Sequence, residues 1–292
     1  MSGVYMKLDE FFEANPRIAV AFSGGVDSSY LLYAAKRYAD SHSIEEAGRC
    51  EDAMPQRSDN TAQRSDNTAH KDSAPMLREV RAYYVKSQFQ PQFEYDDAVR
   101  LADSLGVPLI VERMDILSCA SIAENPPDRC YYCKKTIMTR LLELARADGF
   151  AVLCDGTNYD DDEADRAGTG ALRELGVRSP LRECGLTKDM IRKLSKEAGL
   201  FTHDKPAYAC LATRIPAGTA ITGQTLEKIE HAENALFDMG FTDFRVRLTP
   251  PSGAKVQMRA EQWKGAAEKR AQILAALEHD FESVVMDMTP RD

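Results

Sequence analysis

The 292-residue sequence contains no apolar run that approaches the roughly 18 residues needed to span a bilayer. Its first residues also lack the basic stretch followed by an apolar stretch that marks a secretory signal. A surplus of basic residues is missing too, since the net charge is −9 and the isoelectric point is about 5.2. These absences predict a cytoplasmic protein with no membrane partner. They also predict no nucleic-acid partner, because such binding usually needs a basic surface.

Regularly spaced cysteine pairs are also absent. The chain has seven cysteines, an odd number without a secretory signal, which favours reduced thiols or metal ligands over disulfides. Only Cys130 and Cys133 form a CxxC pair, so a closed zinc site lacks a second pair to complete it. Apart from Cys210, the other cysteines have no ligand-like spacing and are interpreted as structural or incidental: Cys50, Cys119, Cys154 and Cys184.

The sequence does contain an alternation of short apolar runs and helical stretches. It predicts strands at 17–22, 81–86, 108–113 and 151–154, with helices at 29–38, 95–105 and 130–147. Such alternation indicates βαβ units and an α/β fold built on a parallel sheet. After residue 219 the pattern predicts a smaller α+β domain, with helices at 225–239 and 266–279 and strands at 244–248, 254–258 and 283–288.

A polar segment at 41–75 interrupts this pattern and contains the heptapeptide QRSDNTA twice, at 56–62 and 63–69. Its few large apolar residues cannot bury enough surface to offset the cost of ordering the chain. We therefore predict a disordered insertion within a main domain formed by residues 1–40 and 76–218, followed by the C-terminal domain at 219–292.

The first candidate site is a glycine-containing loop between the first predicted strand and helix. Its glycines let the backbone expose N–H groups, and the helix that follows adds its positive N-terminal end, so the loop predicts an anion site. A carboxylate in such a loop suggests Mg²⁺ between Asp27 and phosphates. The loop lacks the lysine of a GxxxxGK[ST] P-loop. The candidate residues are Ser23, Gly24, Gly25, Val26, Asp27, Ser28 and Ser29.

The second candidate site comprises Cys130, Cys133 and the distant Cys210. Two prolines before the CxxC pair place it at a helix start, where thiol pKa values fall and thiolates are favoured. The pair alone is compatible with a redox couple, half a zinc site or two inert thiols. Three thiolates together would leave one iron of a [4Fe–4S] cluster open for exogenous sulfide.

Four motifs occur together in this chain: SGGVDSS at 23–29, NPPDRCYYCKK at 125–135, DGTNYDD at 155–161 and ACLATRIP at 209–216. The first matches the SGGxDS signature of the PP-loop ATP pyrophosphatases. The combination closely resembles the LarE family of that superfamily, over about residues 17–260 apart from the insertion. Each motif alone is weakly specific, and the set of four is highly specific.

The resemblance implies an ATP-dependent sulfurtransferase of nickel-pincer cofactor assembly. A carboxylate of pyridinium-3,5-biscarboxylic acid mononucleotide is adenylylated, and sulfur then displaces AMP to give a thiocarboxylate; a second cycle gives the bisthiocarboxylate. One subtype sacrifices the sulfur of a cysteine at the position of Cys210. The other uses three cysteines to hold a [4Fe–4S] cluster, and Cys130, Cys133 and Cys210 match that subtype. ATP, Mg²⁺, the cluster, a sulfide donor and a homo-oligomer are the implied cofactors and partners.

The same resemblance predicts that further polar residues belong to the site. The residues Asp155, Gly156, Thr157 and Asn158 follow the fourth predicted strand, at the sheet edge where α/β proteins bind ligands. A turn is the alternative interpretation, since these are turn residues. The predicted groups for a substrate phosphate or carboxylate are Arg214, which is also predicted to be catalytic with Cys210 and Asp27, together with Arg245, Arg247 and Glu230.

Three other functions are compatible with parts of this pattern. A tRNA thiolase also uses three cysteines and a cluster, but generally needs a basic RNA-binding surface that this acidic chain lacks. An amide-forming synthetase such as NAD synthase shares the loop but needs no cysteine set. A zinc-stabilised nucleotide sensor would contain zinc without iron and form no pyrophosphate.

Overall fold

The computed structural model describes residues 2–51, 78–161 and 166–291. The tandem repeat at 56–69 lies outside these ranges, so its interpretation as a disordered insertion stays a prediction. The first part of the chain forms helix α1 (Ser2–Ala14), strand β1 (Arg17–Ala21), helix α2 (Val26–Glu51), strand β2 (Glu79–Lys86), helix α3 (Gln92–Leu105) and strand β3 (Leu109–Arg113). The middle part forms helices α4 (Ala120–Ala123) and α5 (Arg129–Ala147), strand β4 (Val152–Asp155), and helices α6 (Arg166–Leu175), α7 (Pro180–Glu183) and α8 (Lys188–Glu197).

The main sheet has four parallel strands in the order β3-β2-β1-β4. Side chains of β1 are buried on both of its faces, which explains why its sequence is an uninterrupted apolar run. Helices α1, α2, α3, α7 and α8 cover one face, and α5 and α6 cover the other. The predicted α/β fold with a parallel sheet is therefore confirmed.

A second sheet follows in the C-terminal part of the chain. Helix α9 (Gly223–Asp238) leads into strands β5 (Arg245–Thr249) and β6 (Gly253–Gln257), helices α10 (Trp263–Glu268) and α11 (Arg270–Leu277), and strand β7 (Ser283–Met286). Strands β5 and β6 are antiparallel, and β6 and β7 are parallel. The predicted smaller α+β unit is present.

The core of this C-terminal unit contains residues that precede 219. Phe89 after β2, Ile116 after β3 and Ile122 on α4 are buried in it together with Leu211 and Leu226. Since β2 and β3 end at the carboxyl edge of the main sheet, this shared core fixes the C-terminal unit over that edge. Ligands of open α/β sheets bind at the same edge.

The observed helices differ from the predicted ones at several points. Helix α2 continues to Glu51 and so extends past residue 41, where the predicted insertion begins. The helix predicted at 266–279 is two helices that meet at Lys269. No helix among the described residues is long and apolar enough to cross a membrane.

Candidate active site

The glycine-containing loop lies between β1 and α2, where the sequence placed it. Gly24 adopts a left-handed φ of 76°, and a Cβ there would lie 3.2 Å from both the Ala98 Cβ and the Glu94 carbonyl oxygen of α3. The hydroxyls of Ser23 and Ser28 lie 3.0 Å apart, and Ser28 Oγ donates to the Gly25 carbonyl at 3.1 Å. These contacts hold the loop in shape at the N-terminal end of α2, where the helix dipole favours an anion.

The turn after β4 packs directly on this loop. A Cβ at Gly156 would lie 2.7 Å from the Ser28 backbone nitrogen and 2.9 Å from the Ser28 Cα. Only glycine permits that separation. The contact places the two segments that the sequence singled out, the loop at 23–29 and the turn at 155–158, against each other.

The other residues of this turn hold its own shape. The buried Asp155 carboxylate accepts from Ser179 Oγ at 2.6 Å and from Thr157 Oγ1 at 2.5 Å. Asn158 Oδ1 accepts from the backbone nitrogens of Asp160 and Asp161 at 2.8 and 3.0 Å. Asp155 and Asn158 therefore organise the turn, and the Asn158 side chain also interacts with the Asp27 carboxylate of the loop. Their predicted role in binding the nucleotide stays a proposal. Gly156 makes the backbone contact with the loop.

Asp27 in the first turn of α2 forms an ion pair with Lys188 at the start of α8, with Nζ and Oδ2 2.6 Å apart. Burial raises the pKa of the Asp27 carboxyl, and Lys188 opposes that rise. The second oxygen, Oδ1, is buried and has no hydrogen-bond partner among the described residues. An unpartnered buried acceptor suits a cation or a donor from a ligand.

Two cavities of about 290 Å³ each meet at this edge of the sheet. The first, here the loop cavity, is lined by Ser23, Gly25, Asp27, Lys188, Tyr208 and Cys210 among others. The second, here the cysteine cavity, is lined by Cys130, Cys133, Cys210, Arg129, Tyr84 and Met138 among others. Both cavities are lined in part by Ser23, Phe89, Gln90 and Cys210, so they share a wall. The predicted cysteines are thus brought together beside the predicted anion loop.

Burial disfavours the thiolate form of two of these cysteines, Cys133 and Cys210. Burial raises the pKa of Cys133 to about 12, and the nearby Cys210 adds to the rise while Arg129 opposes it. Burial also raises the pKa of Cys210, and Arg129 is the main opposing charge. The expectation that a helix start favours thiolates is therefore wrong for Cys133, because its burial outweighs the helix effect.

Arg214 has a different place from the one predicted. It is 1% exposed and pairs with the equally buried Glu233 of α9, with Nε and Oε1 2.9 Å apart. Its Nη1 donates to the Ala209 carbonyl and to Thr213 Oγ1, both at 2.9 Å. Protein groups occupy these donors, and the predicted contact of Arg214 with a substrate stays a proposal. Arg214 holds the loop that carries Cys210.

The two arginines of β5 also reach this loop. Arg245 donates to the Ala207 carbonyl, and Arg247 donates to the Thr213 carbonyl at 2.9 Å. Both side chains therefore lie on one face of β5, as their alternation predicted. Arg245 is buried without a carboxylate bonded to it among the described residues, and burial lowers its pKa to about 10. Their predicted contact with a substrate phosphate stays a proposal.

Glu230 lies apart from the cysteines. It lines a third cavity, of about 400 Å³, with Lys86 and Arg113, and its Oε1 accepts from the Gln92 backbone nitrogen at 2.6 Å. The cavity opens beside Gln90, which also borders the other two cavities. Glu230 is therefore a neighbour of the site rather than part of its thiol-bearing wall.

Sequence reasoning missed two polar groups, Lys188 and Glu233. Lys188 lies 161 residues from its partner Asp27 in the sequence. Glu233 lies within helix α9, and no sequence pattern distinguishes it from the other polar residues of that helix. A sign of Lys188 was present in Thr187, which caps α8 and places Lys188 in the first turn. Glu233 had no such sign, because its role depends on contacts with Arg214, Tyr208 and the Val246 backbone.

We expect Gly156→Ala to disrupt nucleotide use, because its methyl group displaces Ser28 and a shift of about 1 Å at a site costs about a hundredfold in rate. Nucleotide binding by calorimetry and the rate of ATP consumption measure the effect. Gly170→Ala is the matched control, since a Cβ at Gly170 meets nothing within 4 Å. Equal activity of the two variants would contradict the packing argument.

Arg214→Met leaves the Glu233 carboxylate buried without its ion-pair partner. We expect the free energy of unfolding, measured by urea denaturation, to fall by about 3–5 kcal/mol. The double variant Arg214→Met, Glu233→Gln recovers part of the loss, because neither buried charge remains. Arg140→Met removes an exposed pair with Glu112 and changes little. If Arg214→Met were as stable as Arg140→Met, the buried pair would not contribute to the stability of the fold.

Comparisons with known proteins place the chain in a family. The chain is 32% identical over 232 residues to the pyridinium-3,5-bisthiocarboxylic acid mononucleotide synthase of Lactiplantibacillus plantarum, covering 80% of this chain and 71% of that protein. It is 28% identical over 255 residues to an uncharacterised protein of Synechocystis, covering 87% of this chain and 81% of that protein. No family model matches the chain.

Among solved structures, the chain resembles the U34-tRNA thiolase of Methanococcus maripaludis with its [4Fe-4S] cluster. The TM-score is 0.47 and the identity 15%, covering 79% of this chain and 72% of the thiolase. At that level of similarity the thiolase does not inform the activity of this chain. The synthase of Lactiplantibacillus plantarum does show the family, and the chain therefore belongs to the LarE family of PP-loop enzymes, which are ATP-dependent sulfurtransferases.

Proposed function

We propose that the chain adenylylates the carboxylates of pyridinium-3,5-biscarboxylic acid mononucleotide and replaces an oxygen of each with sulfur. The product is the bisthiocarboxylate named in the relative from Lactiplantibacillus plantarum, which we propose serves as a precursor of a nickel-pincer cofactor. The observation that carries this proposal is the wall shared by the two cavities. Ser23 of the anion loop and Cys210 border both cavities, so an activated carboxyl and a sulfur source would be close together.

The loop cavity suits the nucleotide step. A carboxylate is a poor electrophile until its oxygen leaves as part of a phosphate ester, and ATP supplies AMP as that leaving group. Backbone N–H groups at the start of α2 and the Lys188 ammonium would stabilise the charge on the pyrophosphate. Asp27 is the residue that would hold Mg²⁺ through its unpartnered Oδ1, and the ion would supply charge neutralisation at the phosphates.

The cysteine cavity suits the sulfur step. Cys130, Cys133 and Cys210 would hold a [4Fe–4S] cluster, and when bound it supplies an open iron for exogenous sulfide. The thiol donor set fits such a cluster, although no three metal-binding side chains among the described residues are already gathered around one point. Closure onto a cluster would therefore move these side chains. In the second route the Cys210 sulfur itself bonds to the carboxyl carbon as AMP leaves, and the bond between the Cys210 Cβ and sulfur then breaks, so that dehydroalanine would remain in the chain.

A tRNA substrate is the second candidate, and the net charge of −9 disfavours it. An ammonia-using synthetase is the third, and the three thiols in one cavity disfavour it. A homo-oligomer and a separate sulfide donor belong to the proposal through the family.

Product analysis tests the proposed reaction. With ATP, Mg²⁺, sulfide and the pyridinium dicarboxylate mononucleotide, we expect AMP, pyrophosphate and thiocarboxylate, and far less product when ammonia replaces sulfide. Asp27→Asn should abolish AMP formation, whereas Asp103→Asn, an exposed change on α3, should not. Formation of ADP, or of AMP only in the presence of tRNA, would refute the proposal.

Metal content tests the sulfur route. Anaerobically purified protein should contain about four irons and four sulfides per chain, as a [4Fe–4S] cluster requires. Cys130→Ala should lose them, and Cys119→Ala, a change in a cysteine outside the cavity, should retain them. Full activity of Cys130→Ala with one sulfur lost per chain would instead establish Cys210 as a sacrificial donor. Zinc without iron or sulfide, together with no pyrophosphate formed, would refute both routes.

A further inference from the structure

Arg129 is a buried cation in the wall of the cysteine cavity. It opens helix α5 directly before Cys130, and only 6% of it is exposed. Its backbone nitrogen donates to the Pro126 carbonyl at 2.9 Å, and its Cζ lies 5.6 Å from the centre of the Phe89 ring. The proline turn and the aromatic ring therefore hold the side chain in place.

Few protein groups hydrogen-bond to the guanidinium of Arg129 or neutralise its charge. Its Nη2 donates to Cys130 Sγ at 3.4 Å, and its Nη1 is buried with no hydrogen-bond partner among the described residues. No carboxylate in the described part of the chain pairs with it. Arg214 is buried to a similar degree but has Glu233 at 2.9 Å. Because a buried unpaired charge is costly, an arginine left in this state indicates an anion that binds beside it.

The surroundings of Arg129 restrict the class of anion. Apolar and aromatic side chains form much of the cavity wall, among them Tyr84, Ile137, Met138 and Leu141. A strongly hydrated phosphate loses more solvation there than a small, polarisable monoanion does. The cysteines of the same wall indicate sulfur chemistry. Hydrosulfide has the size, charge and softness that such a pocket accepts.

We propose that Arg129 binds the exogenous hydrosulfide ion that the cluster route consumes and directs it toward the activated carboxyl; this inference rests on the proposed function. The hydrosulfide sulfur forms a bond to the carboxyl carbon, and the bond from that carbon to the AMP oxygen breaks. AMP leaves with the electron pair, and the thiocarboxylic acid loses its proton to solvent. Arg129 contributes charge and orientation and exchanges no proton.

The test uses the full-length protein, purified anaerobically, with sodium hydrosulfide as the probe. Arg129→Met keeps the bulk of the side chain and removes its charge. We expect its KM for hydrosulfide to rise at least about tenfold, as for the loss of a charged hydrogen bond. In a single turnover without sulfide, pyrophosphate formation from ATP and the dicarboxylate should change less than about twofold, since the nucleotide loop is untouched. Calorimetry with hydrosulfide alone should show a matching loss of affinity.

Two further variants separate charge from fold. Arg129→Lys retains the charge and should keep a KM between those of the wild type and Arg129→Met. Lys135→Met removes a positive charge from an exposed side of α5, where it pairs with Glu174, and should leave the KM for hydrosulfide unchanged. If Arg129→Met does not fold, the test rests on Arg129→Lys. A KM and a calorimetric affinity for hydrosulfide equal to those of the wild type would then overturn the inference.

Other outcomes also overturn it. An unchanged KM for hydrosulfide in Arg129→Met refutes hydrosulfide binding, and a higher KM for the dicarboxylate instead assigns Arg129 to the carboxylate. A parallel loss of pyrophosphate formation, or of iron, assigns Arg129 to the fold or the cluster. These results leave the proposed function standing when the wild type still forms thiocarboxylate. Absence of thiocarboxylate in the wild type refutes the proposed function itself.

Discussion

The close approach of Gly156 to the backbone of Ser28 is the contact on which the rest of the site depends. A Cβ would lie 2.7 Å from the Ser28 nitrogen, so this separation exists only with glycine. Strands β1 and β4 are neighbours, and their register pairs Ala21 with Asp155, which brings the loop after each strand to the same edge. Because β1 and β4 pair in parallel, two motifs more than a hundred residues apart in the sequence lie side by side on one surface.

A second constraint acts on the loop that carries Cys210. Arg214, Arg245 and Arg247 all donate to backbone carbonyls between residues 207 and 213. Arginines suit this task because a planar guanidinium supplies several donors in a fixed geometry. The arginines predicted to bind substrate thus fix the position of a thiol at the wall between the cavities. This links the C-terminal unit, from which Arg245, Arg247 and Glu233 come, to the chemistry of the main domain.

The sequence predicted the parallel sheet and the α+β unit because apolar runs and turn residues are local signals. The αL cap of α3 at Gly106 is an example, since a glycine there ends the helix. The roles of Arg214 and Glu233 were beyond such reasoning. The loop that carries Cys210 buries the Arg214 guanidinium against the Glu233 carboxylate of α9, and Arg214 also donates to the Ala209 carbonyl of the same loop. Neither contact has a local sequence signature. Burial also reversed the expected thiol acidity at Cys133, because desolvation depends on neighbours far apart in sequence.

The proposed reaction requires a carboxyl oxygen of the substrate to leave as part of AMP. The most direct measurement uses the pyridinium dicarboxylate mononucleotide labelled with ¹⁸O in its carboxylates, and mass spectrometry of the nucleotide released with ATP and sulfide. This reaction transfers one ¹⁸O to AMP for each thiocarboxylate formed and none to pyrophosphate. Unlabelled AMP, or label in ADP or inorganic phosphate, would contradict it.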